Sequence, residues 1–329
     1  MNSCGLSEDR AISASKELHF ETSSRPDSVL TFLENNGFTK PYISKIITNR
    51  PRVLLSDPYK TFKPKVEFFN SIGLSGLDLT KILSKNINIL LRSLENHIIP
   101  TYAFLKSILH TDQNVISTLN RSTWVLLEDP GKRIVPNIGV LRDQGVPESN
   151  ISLLLNTQPR ALLVTADRFK KIVEEIKGMD FDPLQTAFVS AVHTLTSMSK
   201  SSWEAKLNVF RKWGLSEDQI RTAFRKQPKA LTLSEKKIMA IMDFFVNQMG
   251  YNPSFLAEHP HLITYSLEKR IIPRCRVLRI LVSKGLIKKK FHLTSVLTIG
   301  EKSFLERYVI KNEKEVPELL KAFEGQLDI

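Results

Sequence analysis

Arg225, Lys226 and Lys229, then Lys236 and Lys237, then Lys269, Arg270, Arg276 and Arg279, give residues 225–279 a density of cations that few acids offset. Lysine and arginine at such spacing do one kind of chemistry well. They neutralise the phosphates of a polyanion and release its counterions. Residues 1–200 hold 24 Lys and Arg against 20 Asp and Glu, residues 201–300 hold 18 against 7, and the last 29 hold 5 against 7. The net charge of +13 is therefore concentrated in one third of the chain, the footprint expected of a protein that tracks nucleic acid. The eight residues Arg225, Lys226, Lys229, Lys236, Lys269, Arg270, Arg276 and Arg279 are the candidate contacts. The run Lys288, Lys289 and Lys290 is read as a solvated loop.

Other chemistries find less support. The sequence has no G-x-x-x-x-G-K-[ST] phosphate loop, no G-x-G-x-x-G turn and no H-E-x-x-H zinc helix. His259 and His261 flank Pro260 without a cysteine or third histidine close by in sequence, so no metal site is expected. Glu174 and Glu175 are adjacent and face apart on a helix, which rules them out as a general acid/base pair. Cys4 and Cys275 are too few for a disulfide framework, and Cys275 shares a helix face with Ile271, Leu278 and Val282, a core position. Trp124, Trp203 and Trp213 fall within the repeats described next and are assigned to packing. The expectation is a non-enzymatic protein with no cofactor, no small-molecule substrate and no membrane span.

The elements that must carry the cations follow from a repeat. In NRPRVLLSDPYKTFKPKVEFFNSIGL, Pro51 and Pro64 bracket Leu54 and Leu55, then come Phe68, Phe69 and Gly73. A shift of 36 residues finds Leu90, Leu91, Pro100, Phe104 and Leu105, and another finds Leu126, Leu127, Pro136, Leu141 and Gly145. A third reaches Pro159, Leu162, Leu163 and Ile176, after which steps of 33, 36 and 32 reach Leu195, then Pro228 with Leu231, then Pro260 with Ile263 and Pro273. Fixed-period self-similarity defines a repeat architecture. Proline is tolerated in the first turn of a helix, where its missing N–H has no partner to lose. Pro51, Pro159, Pro228 and Pro260 are thus expected to open a short first helix. Pro64, Pro100, Pro136 and Pro273 are expected to open a longer second one. Gly73, Gly145, Gly214 and Gly250 stand where that second helix stops. A third apolar stretch, such as LDLTKILSK or EDQIRTAF, completes the unit.

The predicted fold is all-α, a solenoid of about seven to eight helical repeats of 32–36 residues, each in contact only with its neighbours. Its predicted division is an N-terminal extension at 1–14, a repeat domain at 15–300 and a capping segment at 301–329. In the last of these, Phe304, Leu305, Val309, Leu319 and Leu320 are expected to cover the final repeat. MNSCGLSEDRAISASKELHF reads neither as a secretory signal nor as an acid-poor, Arg-rich transit peptide, because it lacks an apolar stretch and carries Glu8 and Asp9.

The repeated P-x-x-L-L…P-x-x-x-F-L…G unit resembles that of the mitochondrial transcription termination factor (mTERF) family, and its plant branch most of all. SLEKRIIPRCRVLRILVSKGLI resembles that branch's last full repeat, EKSFLERYVIKNEKEVPELLKAFEG its C-terminal segment, and RPDSVLTFLENNGF its first unit. The likeness covers roughly residues 10–325. It implies an α-helical superhelix, acting in mitochondria or alternatively chloroplasts, that binds nucleic acid through a basic surface. Members of the family terminate, initiate or modulate organellar transcription, and some act in RNA splicing or ribosome assembly. The resemblance implies double-stranded DNA as partner, with RNA as the alternative, and a monomeric protein. A protein-binding scaffold of the armadillo kind is the third reading, and the basic segment disfavours it. A tetratricopeptide array is disfavoured by the missing W-x-x-L-G-x-x-Y pattern.

Overall fold

The computed structural model describes residues 4–288 and 292–326, so Lys289 and Lys290 lie outside the described residues. Those described form helices and turns with no strand among them. The repeating unit is a short turn, a long helix and a third helix. Pro51–Leu55, Pro159–Leu163, Pro228–Thr232 and Pro260–Thr264 are 3₁₀ turns, each opened by its proline. The first leucine of each pair is the core residue. Leu54, Leu90, Leu126, Leu162, Leu231 and Ile263 are all buried, and burial of each is worth about 1.5–3 kcal/mol.

The second prolines correct the expected start of the long helix. The α-helical spans Lys63–Ser71, Ile99–Leu109, Ile134–Asp143 and Ile272–Ser283 do open at or just before Pro64, Pro100, Pro136 and Pro273. Winding nevertheless begins a turn earlier, at a cap seven residues before the proline. Asp57 and Asp129 accept backbone N–H bonds at the head of Pro58–Thr61 and of Pro130–Lys132. Ser93 and Ser266 do so at the head of the π-turns Leu94–Ile98 and Leu267–Ile271. In the π-turns the amides of Ile98 and Ile271 reach back five residues to the carbonyls of Ser93 and Ser266, at 3.0 and 3.1 Å. Proline cannot donate and crowds the carbonyl four residues behind it, so the winding changes where it enters. Long helices end at a left-handed residue: Gly73 has φ +86°, and His110 takes the equivalent position at φ +67°.

The chain divides into two compact units, a boundary that falls inside the repeat array. Unit 1 holds residues up to Glu175 with Pro183–Val189, and unit 2 holds Ile176–Asp182 with Ser190 onward. In unit 1 the third helices Lys40–Asn49, Gly76–Lys85, Asp112–Arg121 and Glu148–Thr157 pack each on the next. They run in the same sense, because C-terminal ends meet. Lys85 Nζ donates to the Asn120 carbonyl at 2.9 Å, and Asn156 lies 3.4 Å from Thr118 Oγ1. Phe62, Phe69 and Phe169 centre this unit's core.

In unit 2 the third helices Glu217–Lys226 and Ser254–Glu258 pack likewise. The long helix Ile272–Ser283 packs on Leu319–Phe323. Phe304, Val309 and Leu319 are buried there, Leu305 is half-buried, and Leu320 is turned outward at 47 % exposure. Leu320 directly follows Leu319, and adjacent helix positions cannot share one face.

Candidate nucleic-acid interface

A 3₁₀ turn leaves its last carbonyls without intrahelical partners, and a buried orphan carbonyl is costly. Here the preceding repeat supplies the donors. His97 Nε2 lies 2.8 Å from the Leu126 carbonyl, and Arg92 Nη2 donates to Leu127 at 2.8 Å. Arg133 reaches the Leu163 carbonyl, while Asn137 Nδ2 donates to Leu162 at 3.1 Å and Val164 at 2.9 Å. In unit 2 Lys206 donates to Leu233, and Lys237 to Thr264 at 3.1 Å. Arg270 donates to Leu297, Thr298 and Ile299, and Arg274 to Val296, Leu297 and Ile299. Within each unit, successive repeats are thus tied through polar side chains on backbone oxygen.

These ties sort the basic residues of the 201–300 segment into two groups. Lys206, Lys226, Lys237, Arg270 and Arg274 are engaged by carbonyls. Burial pushes the Lys206 ammonium below its ordinary range, with Glu235 opposing. Burial does the same to Arg274, helped by the like charge of Arg270 and opposed by Glu301 and Tyr265. Among the candidates, Arg270 therefore serves the fold: it caps the end of Leu293–Thr298 and lies 4.2 Å over the Tyr265 ring.

Lys229, Lys236, Lys269 and Arg279 are exposed, and so is Lys226 despite its carbonyl partner. Lys226 Nζ also donates to the Glu258 carbonyl at 3.1 Å, and Arg279 Nη2 lies 3.6 Å from Met249 Sδ. Arg225 is half-buried in an ion pair with Asp180 at 3.6 Å. Arg276 is half-buried beside the C-terminal turn, its Nη1 3.2 Å from where a side chain on Gly325 would begin. The turn carrying Lys229 packs on the turn carrying His261, and Lys269 follows that turn in the chain. Burial lowers the pKa of His193, and the charge of Lys229 adds to the effect. Burial and His259 lower that of His261.

Sequence reasoning missed the ties. A partial signal was present: the residue after the second proline is polar and buried as Lys65, Thr101, Asn137 and Arg274, and the last two make ties, whereas Lys65 Nζ bonds the Thr61 carbonyl of its own segment. It also misassigned Trp124, which is 49 % exposed, whereas Trp203 packs edge-on against Phe224 at 4.9 Å. Cys275 is a core residue, buried and with its thiol pushed up to about 12 by desolvation. The rings of His259 and His261 stand edge-on, 6.1 Å apart. Among the described residues no group of three His, Cys, Asp or Glu could hold a metal ion, and no helix is long and apolar enough to cross a membrane.

The fold is an all-α helical-repeat array, and its unit 2 carries the exposed cations Lys226, Lys229, Lys236, Lys269 and Arg279. The mTERF family profile matches residues 30–240 and 186–305, and the chain belongs to that family. It is similar to the Arabidopsis thaliana protein "Transcription termination factor MTEF18, mitochondrial", with 31 % identity over 94 residues, covering 29 % of this chain and 17 % of that one. It is also similar to "Transcription termination factor MTERF15, mitochondrial" from the same plant, with 27 % identity over 113 residues, covering 34 % and 25 %. Both agree with the plant branch. The matched stretches span a quarter or less of these relatives' lengths.

Proposed function

We propose that this protein is a non-enzymatic, nucleic-acid-binding regulator of organellar gene expression that grips double-stranded DNA and so terminates or modulates transcription. The observation that carries the reading is the exposed set Lys226, Lys229, Lys236, Lys269 and Arg279 on unit 2, in a chain of the mTERF family. Cations spaced along stacked repeats neutralise successive phosphates. A monomer held that way blocks a polymerase without performing catalysis. The relatives' names support the mitochondrion as its location, with the chloroplast as the alternative. Binding to RNA, in intron splicing or ribosome assembly, is the second reading, because the same cations serve A-form phosphates equally well.

Crosslinking in isolated mitochondria, followed by sequencing of the bound nucleic acid, tests both readings. Recovery of discrete DNA sites supports the first, and recovery of intron or ribosomal RNA supports the second. Recovery of neither, together with salt-independent binding in vitro, would sink both.

A further inference from the structure

In unit 1 the third helices stack in one sense, so all their C-terminal ends fall along one edge and all their N-terminal ends along the other. Charge divides between these edges in the last three of the four helices, while Lys40 stands as a cation at the start of Lys40–Asn49. Asp78, Asp112 and Glu148 occupy first turns, whereas Lys85 and Arg121 occupy last turns. Two of the acids are matched locally: Asp112 pairs with Lys106 at 2.7 Å, and Glu148 with Arg142 at 2.6 Å. The cations of the other edge meet no acid in the same way. Lys85 donates to a backbone carbonyl, and Arg121 to the carbonyl and hydroxyl of Ser117.

A cation at a helix C-terminus is favourable for the helix itself, which accounts for Lys85 and Arg121. It does not account for the turns beyond. There the second residue of three turns projects from the stack, Arg52, Trp124 and Arg160, and the equivalent position 36 residues after Arg52 is the half-buried Asn88 that opens Asn88–Leu91. Arg52, Trp124 and Arg160 are exposed, and the turn bearing Trp124 packs on the turn bearing Arg160. An indole that is half open to water, three residues beyond Arg121 and on a turn packed against that of Arg160, offers a base a stacking face beside phosphate contacts.

We propose that this edge of unit 1, marked by Arg52, Lys85, Arg121, Trp124 and Arg160, is a nucleic-acid contact surface with one contact position per repeat. The inference rests on the nucleic-acid-binding reading above and extends it to the half of the chain whose net charge gives no hint of it. The sugar-phosphate backbone lies along the arginines, and an unpaired base reaches Trp124.

The test uses the full chain and a labelled DNA, as duplex and as single strand, titrated from about 50 to about 200 mM salt. The edge variant Arg52, Arg121, Arg160→Ala is compared with the control Lys60, Lys63, Lys132→Ala, which removes three exposed charges from elsewhere in unit 1. The edge variant is expected to lose on the order of tenfold in affinity at the low-salt end and to flatten the log–log salt slope by about three. The control should stay within about twofold of the parent. Trp124→Ala should weaken single-strand binding by about fivefold or more, and Trp124→Phe by less. Should the alanine variant misfold by circular dichroism, Arg52, Arg121, Arg160→Gln replaces it, with the same expectation. Equal losses from edge and control variants overturn the inference. So does a parent whose binding is abolished by Lys229, Lys236, Lys269→Ala but untouched by the edge variant, a result that leaves the nucleic-acid reading standing. A parent that binds neither probe ends both.

Discussion

Arg274 lies over the ring of Phe304, its guanidinium carbon 4.8 Å from the centroid, while its Nη1 donates to the carbonyls of Val296, Leu297 and Ile299. One buried cation thereby joins a long helix, the end of the following helix and the first aromatic residue of the C-terminal segment. Charge-assisted bonds to buried carbonyls are worth about 1.5–3 kcal/mol each when lost singly, and a buried cation–π contact adds about 2. Arg274→Ala should therefore destabilise unit 2 by about 3 kcal/mol or more, with Arg274→Lys intermediate. Urea melts followed by circular dichroism check this, and an unchanged midpoint would mean the network is redundant with Arg270.

Lys269 and Arg270 are neighbours with opposite expected phenotypes. Lys269 is exposed, and its alanine variant should leave stability within about 0.5 kcal/mol while flattening the salt slope for DNA by about one. Arg270 is held by three carbonyls, and its alanine variant should cost about 2 kcal/mol of stability. Paired melts and salt titrations separate them. The reverse pattern would place the phosphate contact on Arg270.

His193 and His261 both have pKa values below the usual histidine range. The unfolded chain then binds more protons than the folded one as pH falls below about 6.5, so their contribution is fully present above that pH and is lost as pH drops through the folded values. Unit 2 should lose stability between neutral and mildly acid pH. His193→Gln should flatten that dependence. The check is the chemical-denaturation midpoint against pH for parent and variant, and parallel curves would refute the assignment.

Removing residues 301–329 strips Phe304, Val309, Val316 and Leu319 from the core of unit 2. The truncated chain should aggregate at concentrations where the parent is soluble, and lose the cooperative transition of unit 2. Size-exclusion chromatography and melting report both. A truncated form that melts like the parent would reduce this segment to a tail.

Much of the fold was legible because proline, leucine and glycine act locally. Pro51, Pro159, Pro228 and Pro260 head their turns as their fixed φ requires. The start of the long helix was missed at Ser93 and Ser266, since a cap is set by a side-chain bond to an amide three residues on, and serine has many other uses. The site was harder to read. A lysine in a sequence shows its charge but not its partner, so Lys206, Lys237 and Arg270 looked the same as Lys229 and Lys236. Their partners are carbonyls about 27 residues away, and backbone oxygen has no letter in a sequence. Net charge also says nothing of the edge of unit 1, where Asp78 and Asp112 at one end of two third helices cancel, in any count, Lys85 and Arg121 at the other.

The carbonyl ties carry a consequence for how such an array changes length over generations. The donors of these ties address backbone atoms of the repeat that follows, as Asn137 does at Leu162 and Lys206 at Leu233. A backbone atom is the same whatever side chains surround it. A duplication or excision cut between equivalent positions would therefore leave donor and acceptor matched, because any successor repeat offers the same oxygens. A cut elsewhere would strand a buried cation or an unbonded carbonyl, at about 1–3 kcal/mol or more. The joints are generic while the exposed turn residues are not, so copy number and contact chemistry can drift independently.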